Sequence, residues 1–315
     1  MTDPPYQRIA GEIRARILNG DLRPGDRMPS IRQIAQRWGV AVATATRVMA
    51  ALRDEGLVEA KVGAGTVVSA RQQRTTPNRQ GVPKQALTRK HVLRTAIAIA
   101  DAEGLDAVSM RRLAAQLGSG PMSLYRHVAN KDELVTQMAD EVFGEPDLPD
   151  PGPDGWRAKL ELISRQQWAL CRRHPWLPRA VSFTRPLLVP NMMAHTEWTL
   201  RALDGLGLPM AIQVREALTL HGLVVTAALS LADEIEAEQE TGMPLDQWWL
   251  TQRRQADELL ASDRFPLLAT IPADAVSDLD GLFEYSLARH LDGFAALVAD
   301  ASRHDGGLRL ARPSQ

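Results

Sequence analysis

Apolar residues recur every three or four positions through most of this chain, the spacing that places side chains on one face of an α-helix. In the C-terminal half, the pattern predicts helices over about 157–173, 188–205, 209–240, 245–261 and 279–301. Strands and helices do not alternate in this half. We therefore predict that it is all-helical.

The first 70 residues predict three helices and a β-hairpin. Ile9 and Ile13 share one helical face, and Ser30 followed by Gln33 is a capping-box signal that begins a second helix. A turn at Gly39 precedes a third helix, and two short β-branched runs around a glycine-rich tip follow it. This order of elements predicts a winged helix-turn-helix.

A second helix-turn-helix is predicted over 87–143. After a first amphipathic helix, Ser109 caps a second helix, and a Gly-Ser-Gly turn leads to a short third one. Asn130 followed by Glu133 is a further capping signal, and it opens a longer helix that ends near residue 143.

Two breaks divide the chain. The segment Arg71–Lys84 has Val82 as its one aliphatic residue and is typical of a linker. The segment Gly144–Gly155 contains four prolines and three glycines, which stop a helix. The predicted organisation is a domain over 1–70, a linker over 71–86, domains over 87–143 and 156–302, and a tail over 303–315.

The formal net charge of -1 conceals an uneven distribution. Residues 1–90 hold 16 basic and 7 acidic side chains, whereas residues 144–315 hold 16 basic and 24 acidic ones. A basic N-terminal part on an acidic body is typical of a protein that binds a polyanion at one end.

Composition argues against several other classes of protein. The single cysteine, Cys171, rules out an intramolecular disulfide and a cysteine-based zinc cluster. The longest apolar run, 222–232, is too short to cross a bilayer, and the first residues lack the pattern of a signal peptide. We therefore expect a cytoplasmic protein with no membrane partner.

The segment Met28–Val68, MPSIRQIAQRWGVAVATATRVMAALRDEGLVEAKVGAGTVV, resembles the winged helix-turn-helix of the GntR family over nearly its whole length. The resemblance implies that this module binds double-stranded DNA, with its recognition helix in the major groove and its wing near the minor groove. Val42 stands where many members have an arginine, so the threonines are expected to contribute more to base reading. The implied DNA contacts are Arg32, Thr44, Thr46, Arg47, Gly63 and Gly65.

The segment Leu87–Val135 closely resembles the DNA-binding domain of the TetR family. Its runs S-M-R-R-L-A, L-Y-R-H-V and N-K-D-E-L are more specific than a generic helix-turn-helix. The implied DNA contacts are Arg111, Met122, Ser123, Tyr125, His127 and Lys131. Whether both modules engage DNA at the same time stays open.

The resemblance to the TetR family continues through the C-terminal half in the order and length of its helices. It implies a ligand pocket among the central helices and a homodimer formed through the last two long helices. We expect a small, largely apolar effector, because tryptophan and methionine are frequent in this half. The candidate pocket residues are Trp168, Trp176, Met192, His195, Trp198, His221 and Trp249. The candidate dimer residues are Leu220, Leu287, Leu291 and Phe294.

Together these observations predict a mainly α, TetR-like protein preceded by a winged helix, which acts as a ligand-responsive repressor. A ligand-independent architectural protein that bridges DNA sites is the alternative. We do not expect an enzyme, because Lys159 is the only lysine after Lys131 and the α/β body of a lysine-dependent aminotransferase is missing. We expect no cofactor, and the histidines of this half are too scattered to predict a metal site.

Overall fold

The computed structural model describes residues 4–61, 65–69, 87–182, 185–260, 264–271 and 277–310, except for the side chains of residues 302 and 304–310. The chain divides into two compact units, residues 1–138 and residues 139–315. The predicted fold class is confirmed, because the described residues are mainly helical and include a two-stranded hairpin. The predicted linker over 71–86 lies outside the described residues.

The N-terminal module is the predicted winged helix-turn-helix. The predicted capping box is confirmed: the Ser30 hydroxyl accepts a hydrogen bond from the Gln33 amide at 3.3 Å, and the Gln33 side chain accepts one from the Ser30 amide at 2.8 Å. The hairpin is antiparallel, with Val58 opposite Val68. The elements of the N-terminal module are α1 (Pro5–Leu18), α2 (Ile31–Trp38), α3 (Val42–Asp54), β1 (Val58–Lys61) and β2 (Gly65–Val68).

The core of this module consists of the apolar faces of its three helices. Ile9 and Ile13 of α1 and Ile34 of α2 are buried together with Val48 and Leu52 of α3. Burial of each such aliphatic side chain stabilises the fold by about 1.5–3 kcal/mol. The module thus has a core of its own.

The TetR-like helices follow, the last of which continues from the first compact unit into the second. The Ser109 hydroxyl accepts from the Arg112 amide at 3.2 Å, and Asn130 Oδ1 accepts from the Glu133 amide at 2.8 Å, so both predicted caps are confirmed. Leu124, at the end of the recognition helix, is completely buried. The helices are α4 (Arg89–Glu103), α5 (Met110–Gln116), the recognition helix α6 (Pro121–Leu124) and α7 (Lys131–Phe143).

All regular secondary structure among the described residues of the second unit is helical. Its helices are α8 (Trp156–Arg173), α9 (Leu177–Ala180), α10 (Pro190–Leu203), α11 (Met210–Thr241), α12 (Leu245–Leu260) and α13 (Leu279–Leu310). Helix α11 packs against α8, α10 and α13. Helix α13 continues to Leu310, past residue 302, where the sequence predicts the tail to begin.

The residues predicted to form the dimer interface lie in the core of the second unit. Within the single chain, Leu220 is 3% exposed, Leu287 1%, Leu291 0% and Phe294 5%. Neighbouring side chains of the same chain already cover these four residues and leave them little surface for a second chain, so their role in a dimer stays a prediction. Other apolar side chains of α13 are exposed instead, namely Leu282, Tyr285 and Leu297.

By length and composition alone, α11 would be able to cross a membrane. It makes extensive contacts inside the helical unit, where Val224, Val225 and Ala228 are buried. A helix that packs against neighbours on several sides is apolar over much of its surface. Packing inside the helical unit therefore also accounts for the composition of α11.

Candidate nucleic-acid interface and ligand cavity

A basic surface lies where α2 meets the wing. The exposed side chains of Arg27, Arg32 and Arg53 line an open cavity of about 440 Å³ together with Gly65 and Thr66. Among the described residues, none of these three arginines pairs with a carboxylate. Unpaired guanidinium groups suit phosphate binding, and the N-terminal dipole of α2 adds to the attraction at Arg32.

The first turn of the winged-helix recognition helix, α3, is open to solvent. Val42 and Thr46 are exposed and Thr44 is half-buried. The Thr46 hydroxyl donates to the Val42 carbonyl at 2.9 Å, which leaves its oxygen available as an acceptor. Gly65 is exposed at the start of β2, whereas Gly63 lies outside the described residues.

Arg47 is separated from this basic surface. Its guanidinium lies 5.7 Å from the ring centroid of Tyr6. With Ala50 and Asp54, it lines a second cavity, of about 230 Å³, at the junction of the winged helix and the TetR-like helices. The structure therefore groups Arg47 with a different face of α3 from Thr46.

The recognition helix of the TetR-like module lies against the winged helix. Met122 and Tyr125 pack on the winged-helix core. The aliphatic stem of Arg111 lies beside Gly56, whose φ is +70° and where an added Cβ would be 3.4 Å from the Arg111 Cβ. Glycine therefore suits this position, both for its backbone conformation and for the close approach.

Arg14 connects the two modules. Its Nε donates to Glu55 Oε2 at 2.9 Å in a buried ion pair within the winged helix, and its guanidinium lies 5.3 Å from the ring centroid of Tyr125. Burial opposes the charge of Arg14, but the hydrogen bonds to Glu55 outweigh it and raise the pKa of Arg14. Burial, with the nearby Glu55 carboxylate, also raises the pKa of the Tyr125 hydroxyl.

Polar contacts extend the junction. The Tyr6 hydroxyl donates to Asp132 Oδ2 at 2.7 Å, and the Gln7 amide donates to the same oxygen. Burial and the hydrogen bond to Asp132 raise the pKa of Tyr6. Lys131 lines the junction cavity as well.

Several residues that the TetR resemblance assigns to DNA binding thus lie at the junction with the winged helix. Arg111, Met122 and Tyr125 contact the winged helix, and Lys131 lines the junction cavity. Ser123 and His127 are half-buried in the same segment of the chain. The sequence offered no sign of this docking, because Met122 and Tyr125 suit a base edge as well as a protein interface.

The second unit holds a cavity of about 150 Å³ among α8, α10 and α11. Three of the predicted pocket residues, Met192, His195 and His221, line it. Sequence reasoning missed others that line it, among them Phe143, Gln167, Thr199, Val214 and Leu218. A signal for two of them was present, since Val214 and Leu218 are apolar residues one helical turn apart.

His195 is the most constrained polar group of this cavity. It is 2% exposed, and its Nε2 lies 2.8 Å from the Phe143 carbonyl oxygen, to which it donates. Its buried Nδ1 has no hydrogen-bond partner among the described residues. Burial lowers the pKa of His195, so the ring is neutral and Nδ1 is an acceptor.

His221 contributes a second neutral imidazole. Its Nδ1 lies 3.2 Å from the Gln167 side-chain oxygen. Burial, and then the proximity of His195, lower the pKa of His221. The cavity therefore combines apolar walls with two uncharged polar groups, which suits an uncharged or aromatic ligand with a few polar substituents.

The predicted tryptophans do not line this cavity. Trp168 stacks on Phe283 at 4.7 Å between centroids and donates to Asp280 at 2.9 Å, and Trp176 is buried in the core. Tertiary packing places the rings of Trp168, Trp176, Trp198 and Trp249 outside the lining of this cavity, and their contact with a ligand stays a prediction.

Trp198 lies at a different cavity, and its indole N–H donates to the Pro149 carbonyl at 2.8 Å. Trp249 is 39% exposed on α12, in an edge-to-face contact with Trp248. Neither side chain is available to a ligand that contacts His195.

Potential metal ligands are dispersed. Within the part of the chain that the structure describes, no group of three His, Cys, Asp or Glu side chains is arranged to hold a metal ion. The cavity histidines instead make protein contacts, His195 with Phe143 and His221 with Gln167.

Family models match three consecutive parts of the chain. Residues 5–68 match the model for bacterial regulatory proteins of the gntR family, and residues 92–138 match the model for those of the tetR family. Residues 148–298 match the model for the tetracyclin repressor-like C-terminal domain.

Individual relatives agree. The HTH-type transcriptional repressor DrrR1 of Streptomyces coeruleorubidus is 42% identical over 218 residues, which cover 69% of this chain and 80% of DrrR1. The crystal structure of the TetR family protein ActR from Streptomyces coelicolor in complex with actinorhodin is 31% identical, with a TM-score of 0.57, and the match covers 67% of this chain and 97% of ActR. The transcriptional repressor NagR of Bacillus subtilis is 35% identical over 66 residues, which cover 21% of this chain and 27% of NagR.

These relatives are transcriptional regulators and not enzymes. Both resemblances noted in the sequence are therefore confirmed. The chain belongs to the TetR family of transcriptional regulators and carries a GntR-type helix-turn-helix in front of its TetR-type part.

Proposed function

We propose that this regulator is a cytoplasmic, homodimeric repressor that releases its operator when a small, largely apolar effector occupies the cavity around His195. The observation that carries the proposal is the hydrogen bond from His195 to the Phe143 carbonyl, at the C-terminal end of α7. The same helix begins at Lys131, a few residues after the TetR-like recognition helix ends at Leu124. A ligand in the cavity therefore acts on one end of a helix whose other end belongs to the DNA-binding unit.

Release of DNA by the effector requires only a small difference in its binding free energy between two positions of α7. A ligand that pairs with His195 or displaces Phe143 favours one position of the end of α7 over another. A differential affinity of about 1–3 kcal/mol between two such states changes DNA affinity by roughly 5- to 150-fold.

The cavity also indicates the kind of effector. The free Nδ1 of His195 is an acceptor and so requires a donor such as a hydroxyl on the ligand. The volume of about 150 Å³ is smaller than the roughly 300–1,000 Å³ of sites for drug-sized molecules. Met192 and Leu218 must therefore move aside, as flexible apolar side chains can. The ActR structures in complex with actinorhodin and with (S)-DNPA support this type of ligand.

The dimer is supported by an uncovered apolar face. Leu282, Tyr285 and Leu297 of α13 are 55%, 66% and 43% exposed in the single chain. Leu282 and Tyr285 are three residues apart and so are neighbours on the helix surface, and exposed apolar side chains of this kind are typical of an interface.

Titration of the full-length protein with actinorhodin as the probe tests the proposal. We expect actinorhodin to raise the thermal midpoint and to release bound DNA, both more weakly in Met192→Ala than in the wild type. Met193→Ala is the matched control, because Met193 is the 54% exposed neighbour that does not line the cavity.

The same titration separates the alternatives. If Met192→Ala and Met193→Ala respond equally, the ligand binds elsewhere. If neither actinorhodin nor a set of apolar metabolites changes the thermal midpoint, the architectural alternative is favoured.

A further inference from the structure

The reading surface of the TetR-like module is partly covered by the winged helix. Met122 and Tyr125 pack on the winged-helix core, and the stem of Arg111 lies beside Gly56. Side chains that fill a protein interface are not free to contact base edges or phosphates. In this arrangement α6 cannot present Met122 and Tyr125 to a major groove.

The junction cavity carries no net positive charge that would attract DNA. Its lining has three acidic side chains, Asp54, Glu55 and Asp132, and three basic ones, Arg14, Arg47 and Lys131. Arg14 is paired with Glu55, and Asp132 accepts hydrogen bonds from the Tyr6 hydroxyl and the Gln7 amide. The unpaired arginines around the wing therefore offer phosphates a more favourable surface than the junction does.

The winged helix, by contrast, docks with one face of α3 and keeps another face open. Arg47, Ala50 and Asp54 follow the three- and four-residue spacing of one helical face and line the junction cavity. By the same spacing Val42, Thr46 and Arg53 share a different face, and all three are exposed. Docking therefore leaves the first turn of α3 and the arginines around the wing accessible.

We infer that the winged helix is the module that reads DNA in this protein, and that the TetR-like recognition helix is the docking surface that holds it. Helices α4, α5 and α6 then connect the winged helix to α7 instead of binding an operator themselves. The inference goes beyond the proposed function, because an effector can release DNA whichever of the two modules reads it. Its test needs no effector.

A cross-link that holds the docked arrangement provides the test. Gln7→Cys with Asp132→Cys places a thiol on each side of an observed contact, and neither residue is assigned to DNA binding. The natural cysteine, Cys171, is buried, and burial raises its pKa to about 12, so it reacts slowly with maleimides. A short bismaleimide then joins the two modules in the full-length protein. The controls are each single variant treated with the reagent and the untreated double variant.

The readout is the DNA that each protein selects. Wild-type, untreated and cross-linked proteins are incubated with a random-sequence duplex library, and the bound DNA is sequenced. We expect all three to enrich the same motif, with a Kd for the cross-linked protein within about twofold of the untreated form.

Two results would overturn the inference. Loss of DNA binding on cross-linking, or enrichment of a different motif, would mean that the TetR-like recognition helix must undock in order to read DNA. Failure of the two thiols to cross-link, with both reactive toward a monofunctional maleimide, would mean that the modules do not dock in solution.

Discussion

The guanidinium of Arg14 lies 5.3 Å from the ring centroid of Tyr125, and this contact joins the winged helix to the end of the TetR-like recognition helix. Glu55 holds Arg14 from within the winged helix through two hydrogen bonds. The guanidinium N–H groups are thus occupied by the carboxylate, while the central carbon lies over the ring. One side chain therefore stabilises both the winged helix and the junction.

Substitution of Glu55 tests how much the ion pair with Arg14 contributes to the stability of the winged helix. Glu55→Gln leaves the 9% exposed Arg14 charged and without its counter-ion, so we expect a loss of about 3–5 kcal/mol in the stability of the winged helix. Arg14→Met combined with Glu55→Leu removes both charges, and we expect it to recover most of that loss. Hydrogen exchange of the α1 and α3 amides measures the change. Equal protection in Glu55→Gln and the wild type would contradict a stabilising role for the pair.

Two substitutions of Tyr125 distinguish the contribution of its ring to docking from that of its hydroxyl. Tyr125→Ala removes the cation–π contact and the buried ring, and we expect the junction to weaken by about 2 kcal/mol. Tyr125→Phe keeps the ring and serves as the control. The yield of the cross-link between Gln7→Cys and Asp132→Cys measures docking. Equal yields in Tyr125→Ala and Tyr125→Phe would show that the ring does not hold the junction.

The pH dependence of the second unit follows from its buried histidines. Burial lowers the pKa of His195 and His221 in the folded chain, so the unfolded chain binds protons first as the pH falls through about 6.5. Stability is therefore complete above this pH and decreases below it. His290 opposes the trend, because its hydrogen bond to Glu216 raises the pKa of His290 and adds stability that is lost as the pH rises through that pKa.

The midpoint of thermal unfolding at about pH 5.5 and about pH 7.5 measures this dependence. His195→Gln keeps a donor for the Phe143 carbonyl but does not titrate, and we expect a smaller loss of stability at the lower pH. An unchanged pH dependence in His195→Gln would show that His195 is not among the groups responsible.

The oligomeric state tests the exposed face of α13. We expect Leu282→Glu with Tyr285→Glu to give folded monomers in sedimentation velocity, because two charges would be buried at the interface. Leu18→Glu, on the winged helix, is the control for an exposed leucine and should leave the dimer intact. Dimers of the double variant would locate the interface on another surface.

Local features of the fold were predictable from the sequence. The caps at Ser30, Ser109 and Asn130 depend on residues within one helical turn, so the sequence contains all the information needed. The five long helices of the second unit were predicted for the same reason, since apolar periodicity is a local pattern, whereas the four-residue α9 is too short to show one. Family resemblance then supplied the order of the modules.

Features that depend on distant partners were not predictable. Periodicity shows that Leu287 and Leu291 are covered, but not whether the cover is the same chain or another. The frequent tryptophans suggested a pocket, yet Trp168 is paired with Phe283, more than a hundred residues away. Docking of Tyr125 on Arg14 likewise joins residues from separate modules, and no pattern within either module indicates it.

The most direct test of the account is the affinity of the full-length protein for its selected DNA when Arg32 is replaced. Arg32→Ala removes an exposed, unpaired guanidinium from the winged-helix surface, and Arg8→Ala removes one from α1 as the control for charge. We predict that Arg32→Ala weakens binding about tenfold and lowers the slope of log K against log salt by about 0.9, with Arg8→Ala within about twofold of the wild type. Equal affinities and an unchanged footprint for the two variants would contradict the account and would indicate that the TetR-like module reads the DNA.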